Sequence, residues 1–164
     1  MHTEQDLMSK FWKALSSDMV MMLALVNVDD GHARPMTAQI DEDKSSIWFF
    51  TSTENDLVKN IGRSSKGVGT FTSKGHDLFA TIHGELTLDN DKDIIDRLWN
   101  SFVAAWYEGG KEDPKLALLR FEPTNGEVWV NGSSIIAGIK MILGSDPKKD
   151  YKDNVAKMDF RAFR

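Results

Sequence analysis

Apolar positions in this chain change their spacing from segment to segment, and the changes mark out its elements. Between residues 3 and 16, Leu7, Phe11, Ala14 and Leu15 recur at helical spacing, and Thr3 suits the N-cap. Residues 19–28 are apolar on both faces, the pattern of a strand buried from both sides. Asp29-Asp30-Gly31 signals a turn, and residues 33–41 return as a second strand. Residues 41–44 form a solvated turn, and residues 46–52 a third strand. Residues 54–64 predict a short helix with Leu57, Val58 and Ile61 facing inward.

Residues 66–73 and 77–89 predict two more strands, joined at Ser73-Lys74-Gly75. Residues 91–103 predict one helix carrying Ile94, Ile95, Leu98, Trp99 and Phe102. A loop with Gly109-Gly110 and Asp113-Pro114 follows. Strands at 116–122 and 126–131 are expected on either side of Pro123-Thr124-Asn125. A last helix, about 134–143, is capped by Ser133 and too short to span a bilayer. Residues 145–164 are rich in Lys and Asp and read as a polar tail of weak order, with Phe160 and Phe163 available for docking. The chain thus predicts one domain over residues 1–144, mainly β with some α. Six or seven antiparallel strands at near-hairpin spacing suggest a small barrel with peripheral helices. A doubly wound sheet is excluded, because strands and helices do not alternate regularly.

Composition removes several function classes. A chain of 164 residues fits one domain with a proper core. The net charge is −5 and no Lys/Arg run is present, which argues against nucleic acid as a partner. There is no cysteine, hence no disulfide, thiolate chemistry or cysteine metal site. His2, His32, His76 and His83 are scattered without a metal-ligand spacing, so no metal is expected. Gly67-Val68-Gly69 lacks the third glycine and the following helix of a dinucleotide fingerprint. No G-x-S-x-G elbow supports a hydrolase triad. The polar start is unlike a secretory signal and no apolar run spans a bilayer, so a cytoplasmic protein without a membrane partner is expected.

The candidate chemistry lies in Arg34-Pro35-Met36-Thr37 and Trp48-Phe49-Phe50-Thr51. Both segments sit on strands expected to be neighbours. Together they place a cation, small hydroxyls and aromatic rings on one sheet, which suits a flat aromatic ligand carrying a phosphate. A phosphate needs a fixed guanidinium and nearby hydroxyl or N–H donors. A flat polar-edged ring needs an apolar slot plus strand N–H and C=O groups. On the residues alone, Trp48, Phe49 and Phe50 equally suit an ordinary core, Arg34 an ordinary surface, and Trp99 and Trp106 structural roles.

The pattern resembles the pyridoxamine 5′-phosphate oxidase-like flavoproteins, and among them the bacterial general stress protein branch. The resemblance covers roughly residues 5–143. It is carried by Met22-Leu23, Arg34-Pro35-Met36, Trp48-Phe49-Phe50-Thr51, Gly84 and Leu98-Trp99-Asn100. Ala105-Trp106-Tyr107, Gly109-Gly110, Asp113-Pro114, Leu118-Leu119, Pro123 and Glu127-Val128-Trp129 complete it. It implies a split β-barrel, a homodimer, and FMN or the larger FAD at the subunit interface. By that likeness Arg34 touches the phosphate side, and Pro35, Met36 and Thr37 run beside the ring. Phe50, Thr51 and Ser52 supply ring and ribityl contacts, and Trp129 reaches the cofactor from the other subunit.

Two departures qualify the likeness. The family's phosphate lysine, six positions beyond the matched Thr51, is replaced by Leu57, with Asp56 before it; Lys59, two residues on and facing another way on a helix, or a residue outside the motif would have to compensate. The Arg-x-His-x-Arg element of vitamin B6 oxidases is replaced by Asn131-Gly132-Ser133-Ser134-Ile135. The expectation is a flavin protein with a possible slow oxidoreductase activity, an unidentified small-molecule redox partner and no vitamin B6 oxidase activity. The alternative is a cofactor-free dimeric barrel acting as a binding or stress-associated module. A third reading, a tetrapyrrole or deazaflavin ligand, has only His83 as a poor axial candidate for haem.

Overall fold

Thr3 opens the first helix. Its side chain accepts the Asp6 N–H while the Asp6 carboxylate accepts the Thr3 N–H, a reciprocal cap for α1 (Glu4–Asp18). Leu7, Phe11 and Leu15 on one face are fully buried, and Phe11 packs edge-on against Phe71 and Phe160. The computed structural model describes residues 2–131 and 154–163.

Seven strands follow: β1 (Val20–Leu25), β2 (Arg34–Thr37), β3 (Gln39–Ile40), β4 (Ile47–Ser52), β5 (Ser65–Thr72), β6 (Leu78–Leu88) and β7 (Leu116–Val130). Helices α2 (Asp56–Asn60), α3 (Lys92–Leu98) and α4 (Ser101–Ala104) lie between them, and β8 (Val155–Asp159) pairs with β7. The order across the sheet is β2-β1-β5-β6-β7-β4-β3, with every pair antiparallel. Its two ends, β2 and β3, are separated in the chain by Ala38 alone. A flat sheet would hold its end strands six strand widths apart, about 29 Å at the usual interstrand spacing. One residue cannot bridge that distance, so the sheet curls into a nearly closed barrel. The mainly β split barrel with peripheral helices expected from the sequence is the fold.

Strand alternation divides the apolar residues into two clusters. Ile47 and Phe49 of β4 join Leu119 and Phe121 of β7 in the main core. Trp48 and Phe50 face the other way, toward a smaller cluster with Leu116 and Leu118 beneath Ile94, Ile95 and Val103 of α3 and α4. The pairing of Phe49 with Leu119 and of Phe50 with Leu118 fixes both sets at once.

Several expected boundaries change. The single strand expected at 33–41 breaks at Ala38, because the chain there leaves β1 and joins β4; the buried Ala38 donates its N–H to the Met19 carbonyl. The two strands expected at 116–122 and 126–131 are one. Pro123 lies opposite Gly84 and Asn125 opposite His83, so Thr124 is the extra residue of a bulge that absorbs a proline without an N–H. The helix expected over 91–103 breaks at extended Trp99, and Asn100 caps a new helix by accepting the Phe102 and Val103 N–H groups. Val20 and Met22 are exposed on one face of β1 rather than buried. In the segment read as a weakly ordered tail, β8 extends the sheet and Phe160 packs on Phe11 and Trp12. The helix expected at 134–143 and the boundary at 144 lie outside the described residues. Among the described residues, no helix is long and apolar enough to cross a membrane.

A Cβ at Gly84 would lie 2.3 Å from the Glu122 carbonyl oxygen, a backbone atom with no freedom to swing away. Gly84→Ala is expected to destabilise the fold by about 1–3 kcal/mol, read from urea denaturation. An unchanged midpoint would contradict the close approach of β6 and β7 at the bulge.

Candidate functional site

β2 and β4 lie side by side because β3 connects them, yet they are not hydrogen-bonded to each other. A cleft of about 430 Å³ opens there, within the usual range for small-molecule and cofactor sites. Pro35, Met36 and Thr37 of β2 and Gln39 of β3 form one wall. Phe50, Thr51 and Ser52 of β4, followed by Asn55, form the floor. Phe102, Val103, Trp106 and Tyr107, from α4 and the turn after it, form the outer wall.

Each wall has a local cause. Pro35 has no N–H to offer and sits on an edge strand, where that deficit is tolerated. Asn55 caps α2 by accepting the Leu57 N–H at 2.9 Å, and its amide donates to the Thr51 hydroxyl at 3.0 Å. The polar end of β4 is thereby tied to the start of α2. Trp99 stands edge-on to Phe50 at 6.0 Å and tilted against Tyr107 at 5.9 Å, which fixes the inner side of the aromatic wall. The Tyr107 hydroxyl donates to the Thr51 carbonyl at 2.6 Å. Phe102 and Trp106 are each 84% exposed, so neither is held by the core.

The expected site residues divide into two groups. Pro35, Met36, Thr37, Phe50, Thr51 and Ser52 meet in the cleft. Arg34, Lys59 and Trp129 do not line it. Arg34 lies at its edge, next to Pro35, where its guanidinium contacts Asp29 at 2.7 Å and Asp56 at 3.7 Å and donates to the His32 carbonyl. Its hydrogen bond holds the Asp29 carboxyl below the usual carboxylate range. Lys59 is exposed and pairs with Asp56 at 3.9 Å. Trp129 is half-buried on β7 between Phe79 and Val155, eleven residues along the strand from Leu118, the partner of Phe50. That separation is about 35 Å of extended chain.

Two readings of individual residues change. Leu57 is 1% exposed and belongs to the main core, so it does not stand at the cleft; a lysine there would bury a charge. Trp106, expected to be structural, is an exposed cleft residue. The sequence reading also missed Asn55, Phe102, Tyr107 and Asp29. The break at Trp99-Asn100 turns Phe102 outward, and an Asn before a helix was the available signal for it. His83 is exposed on β6 and lines no part of the cleft. Among the described residues, no three His, Asp or Glu side chains converge as a metal site.

Burial pushes the Tyr107 phenol up to about 12, with Asp113 adding to the shift. An unfolded tyrosine ionises near 10. The native state therefore keeps a proton that the unfolded chain loses, and the stability this contributes, complete below pH 10, is lost as pH rises to about 12. Wild type is expected to lose stability over that window relative to Tyr107→Phe, read from chemical denaturation at stepped pH. Parallel curves for the two proteins would contradict the buried phenol.

A family model described as pyridoxamine 5′-phosphate oxidase like matches residues 6–151. General stress protein 26 of Bacillus subtilis (strain 168) is 28% identical over 130 residues, covering 73% of this chain and 86% of that protein. The crystal structure of a general stress family protein from Xanthomonas campestris pv. campestris is similar at 57% identity and a TM-score of 0.77, covering 82% of this chain and 93% of that one. The crystal structure of the general stress FMN/FAD binding protein from Xanthomonas citri is similar at 56% identity and a TM-score of 0.75, covering 79% of this chain and 92% of that one. With the split barrel and its cleft in place, this chain belongs to the pyridoxamine 5′-phosphate oxidase-like family, in its general stress branch.

Proposed function

We propose that the protein binds a flavin in the cleft between β2, β4 and α4, FMN first and FAD as the larger alternative. One observation carries the reading: an apolar, aromatic slot runs into a strand end rich in hydroxyl and amide groups. Met36, Phe50, Phe102 and Trp106 offer the slot for the ring, and Thr37, Thr51, Ser52 and Asn55 offer polar groups for its edge and the ribityl chain. Arg34 lies where the slot meets α2 and is the cation we assign to a terminal phosphate. The Xanthomonas citri relative, a general stress FMN/FAD binding protein, supports the same reading.

A bound flavin supplies two-electron redox chemistry, so few catalytic side chains are needed. The cleft matches that demand: among the described residues its lining contains no His, Lys, Arg, Asp or Glu, and the ionisable group there, Tyr107, keeps its proton at neutral pH. A slow flavin-dependent oxidoreductase is the activity this lining suits. Vitamin B6 oxidase activity is not proposed, because the residues after Trp129 lack the Arg-x-His-x-Arg element; positions 132–135 lie outside the described residues. The carboxylates on Arg34 favour a second reading, a cofactor-free barrel acting as a binding module.

Arg34→Ala is expected to weaken FMN by at least about 1.5 kcal/mol, roughly tenfold or more, because the cation that offsets Asp29 and Asp56 is removed from beside the phosphate. Riboflavin, without a phosphate, should be affected much less. Titration by flavin fluorescence quenching reads both. Equal weakening would mean that Arg34 shapes the pocket; absence of any flavin binding by wild type would favour the cofactor-free reading.

We further propose a homodimer in which Trp129 of one copy approaches the cleft of the other. Exposed Val20, Met22, Phe102 and Trp106 supply apolar surface for such an interface. Light scattering at micromolar concentration should give twice the chain mass. A value near 18.5 kDa would contradict the dimer.

A further inference from the structure

Arg34 adjoins the cleft residue Pro35, yet it is already engaged. Asp29, in the turn Asp29–Gly31 after β1, meets its guanidinium at 2.7 Å. Asp56, at the first position of α2 and next to the cleft residue Asn55, stands 3.7 Å from the same guanidinium nitrogen. Lys59 adds a second positive charge, but it leans on Asp56 at 3.9 Å and is 58% exposed, where solvent screens it. Among the described residues, two cations and two carboxylates thus sit together, and their charges balance. Arg34 is 22% exposed and lies between the Asp29–Gly31 turn and the start of α2, whereas Asp29 and Asp56 reach it from the surface.

We propose that Asp29 and Asp56 set the ligand specificity of this site, by occupying the guanidinium that a ligand phosphate would otherwise take. A phosphate must either displace Asp29 or join Arg34 against two carboxylates. Attraction to Arg34 and repulsion from its partners then nearly cancel, and the cleft selects ligands through ring and ribityl contacts. Its ligand class is the flavin ring system with little regard to the terminal phosphate, so that riboflavin, FMN and the diphosphate-linked FAD compete on similar terms. The inference rests on the flavin reading and goes beyond it. It assigns a role to Asp29, which lies outside the cleft and outside both sequence segments that first suggested a ligand.

Asn replaces Asp at both positions without change of shape, and at Asp29 it suits the left-handed backbone, φ 53°. Both carboxylates are on the surface, so Asp29→Asn with Asp56→Asn is expected to fold as wild type does, checked by thermal melting. FMN and riboflavin are titrated into wild type, the double variant, and the double variant carrying Arg34→Ala as well. Wild type should bind FMN and riboflavin within about threefold of each other. The double variant should bind FMN about tenfold tighter, the worth of one freed charge-assisted contact, with riboflavin unchanged. Adding Arg34→Ala should abolish that gain. If both flavins bind and the double variant leaves their ratio unchanged, the specificity role is overturned and the flavin reading stands. If the FMN gain survives removal of Arg34, the carboxylates act by general repulsion and the proposed competition is overturned. If no protein binds either flavin, both readings fall together.

Discussion

A single residue, Ala38, joins the two ends of the sheet. β2 pairs with β1, β3 pairs with β4, and the chain has one step in which to pass from one to the other. Closure of the barrel follows from that covalent constraint, and so does the split, since β2 and β4 approach without pairing. The cleft occupies the unpaired seam. Its polar and apolar walls are the outward sides of strands whose inward sides, Met36 and Phe49 among them, complete the main core. Met36 takes part in both, so a change in the core is felt in the cleft.

The outer wall depends on a second local device. Trp99 ends α3 in an extended conformation and Asn100 starts α4. Val103 and Tyr107 then pack onto the smaller cluster with Trp48 and Leu118, while Phe102 and Trp106 remain exposed. A continuous helix from 91 to 103 would point these residues elsewhere. The exposure of two large aromatic side chains beside a cleft is a feature that a ligand or a second subunit would relieve. At the other end of the seam, the charges around Arg34 are balanced rather than cationic. Under the proposed function, a ligand there would be held by shape and stacking more than by electrostatic attraction.

Much of this was legible in the chain. The strand at 46–52 was readable, and the two segments Arg34 to Thr37 and Trp48 to Thr51 pointed to two walls of the cleft, formed by Pro35 to Thr37 and Phe50 to Ser52; which aromatic residues of that strand face the core was not readable. What escaped depended on partners distant in sequence. Pro123 reads as a strand breaker until Gly84 on β6 accommodates the bulge opposite it. The weak-order reading of residues 154–163 reflected their polarity, which is compatible with an edge strand once β7 offers hydrogen bonds. Leu57 matched a family lysine by position, but the turn of α2 directs it into the core. Asp29 read only as a turn residue, because its partnership with Arg34 arises when β1 and β2 fold back on each other.

The central claim is that a flat flavin ring enters the seam between β2 and β4. The methionines supply reporters on both sides of the question. Met36 lines the cleft, whereas Met158 is buried on β8 in the part of the core near Phe160. Methyl NMR of the full chain with [13C-methyl]methionine, recorded as riboflavin is added, reads ring-current shifts at each site. The account predicts a saturable shift of the Met36 resonance with Met158 unmoved. A saturable shift at Met158 with Met36 unmoved, or no shift at any methionine up to millimolar riboflavin, would contradict it.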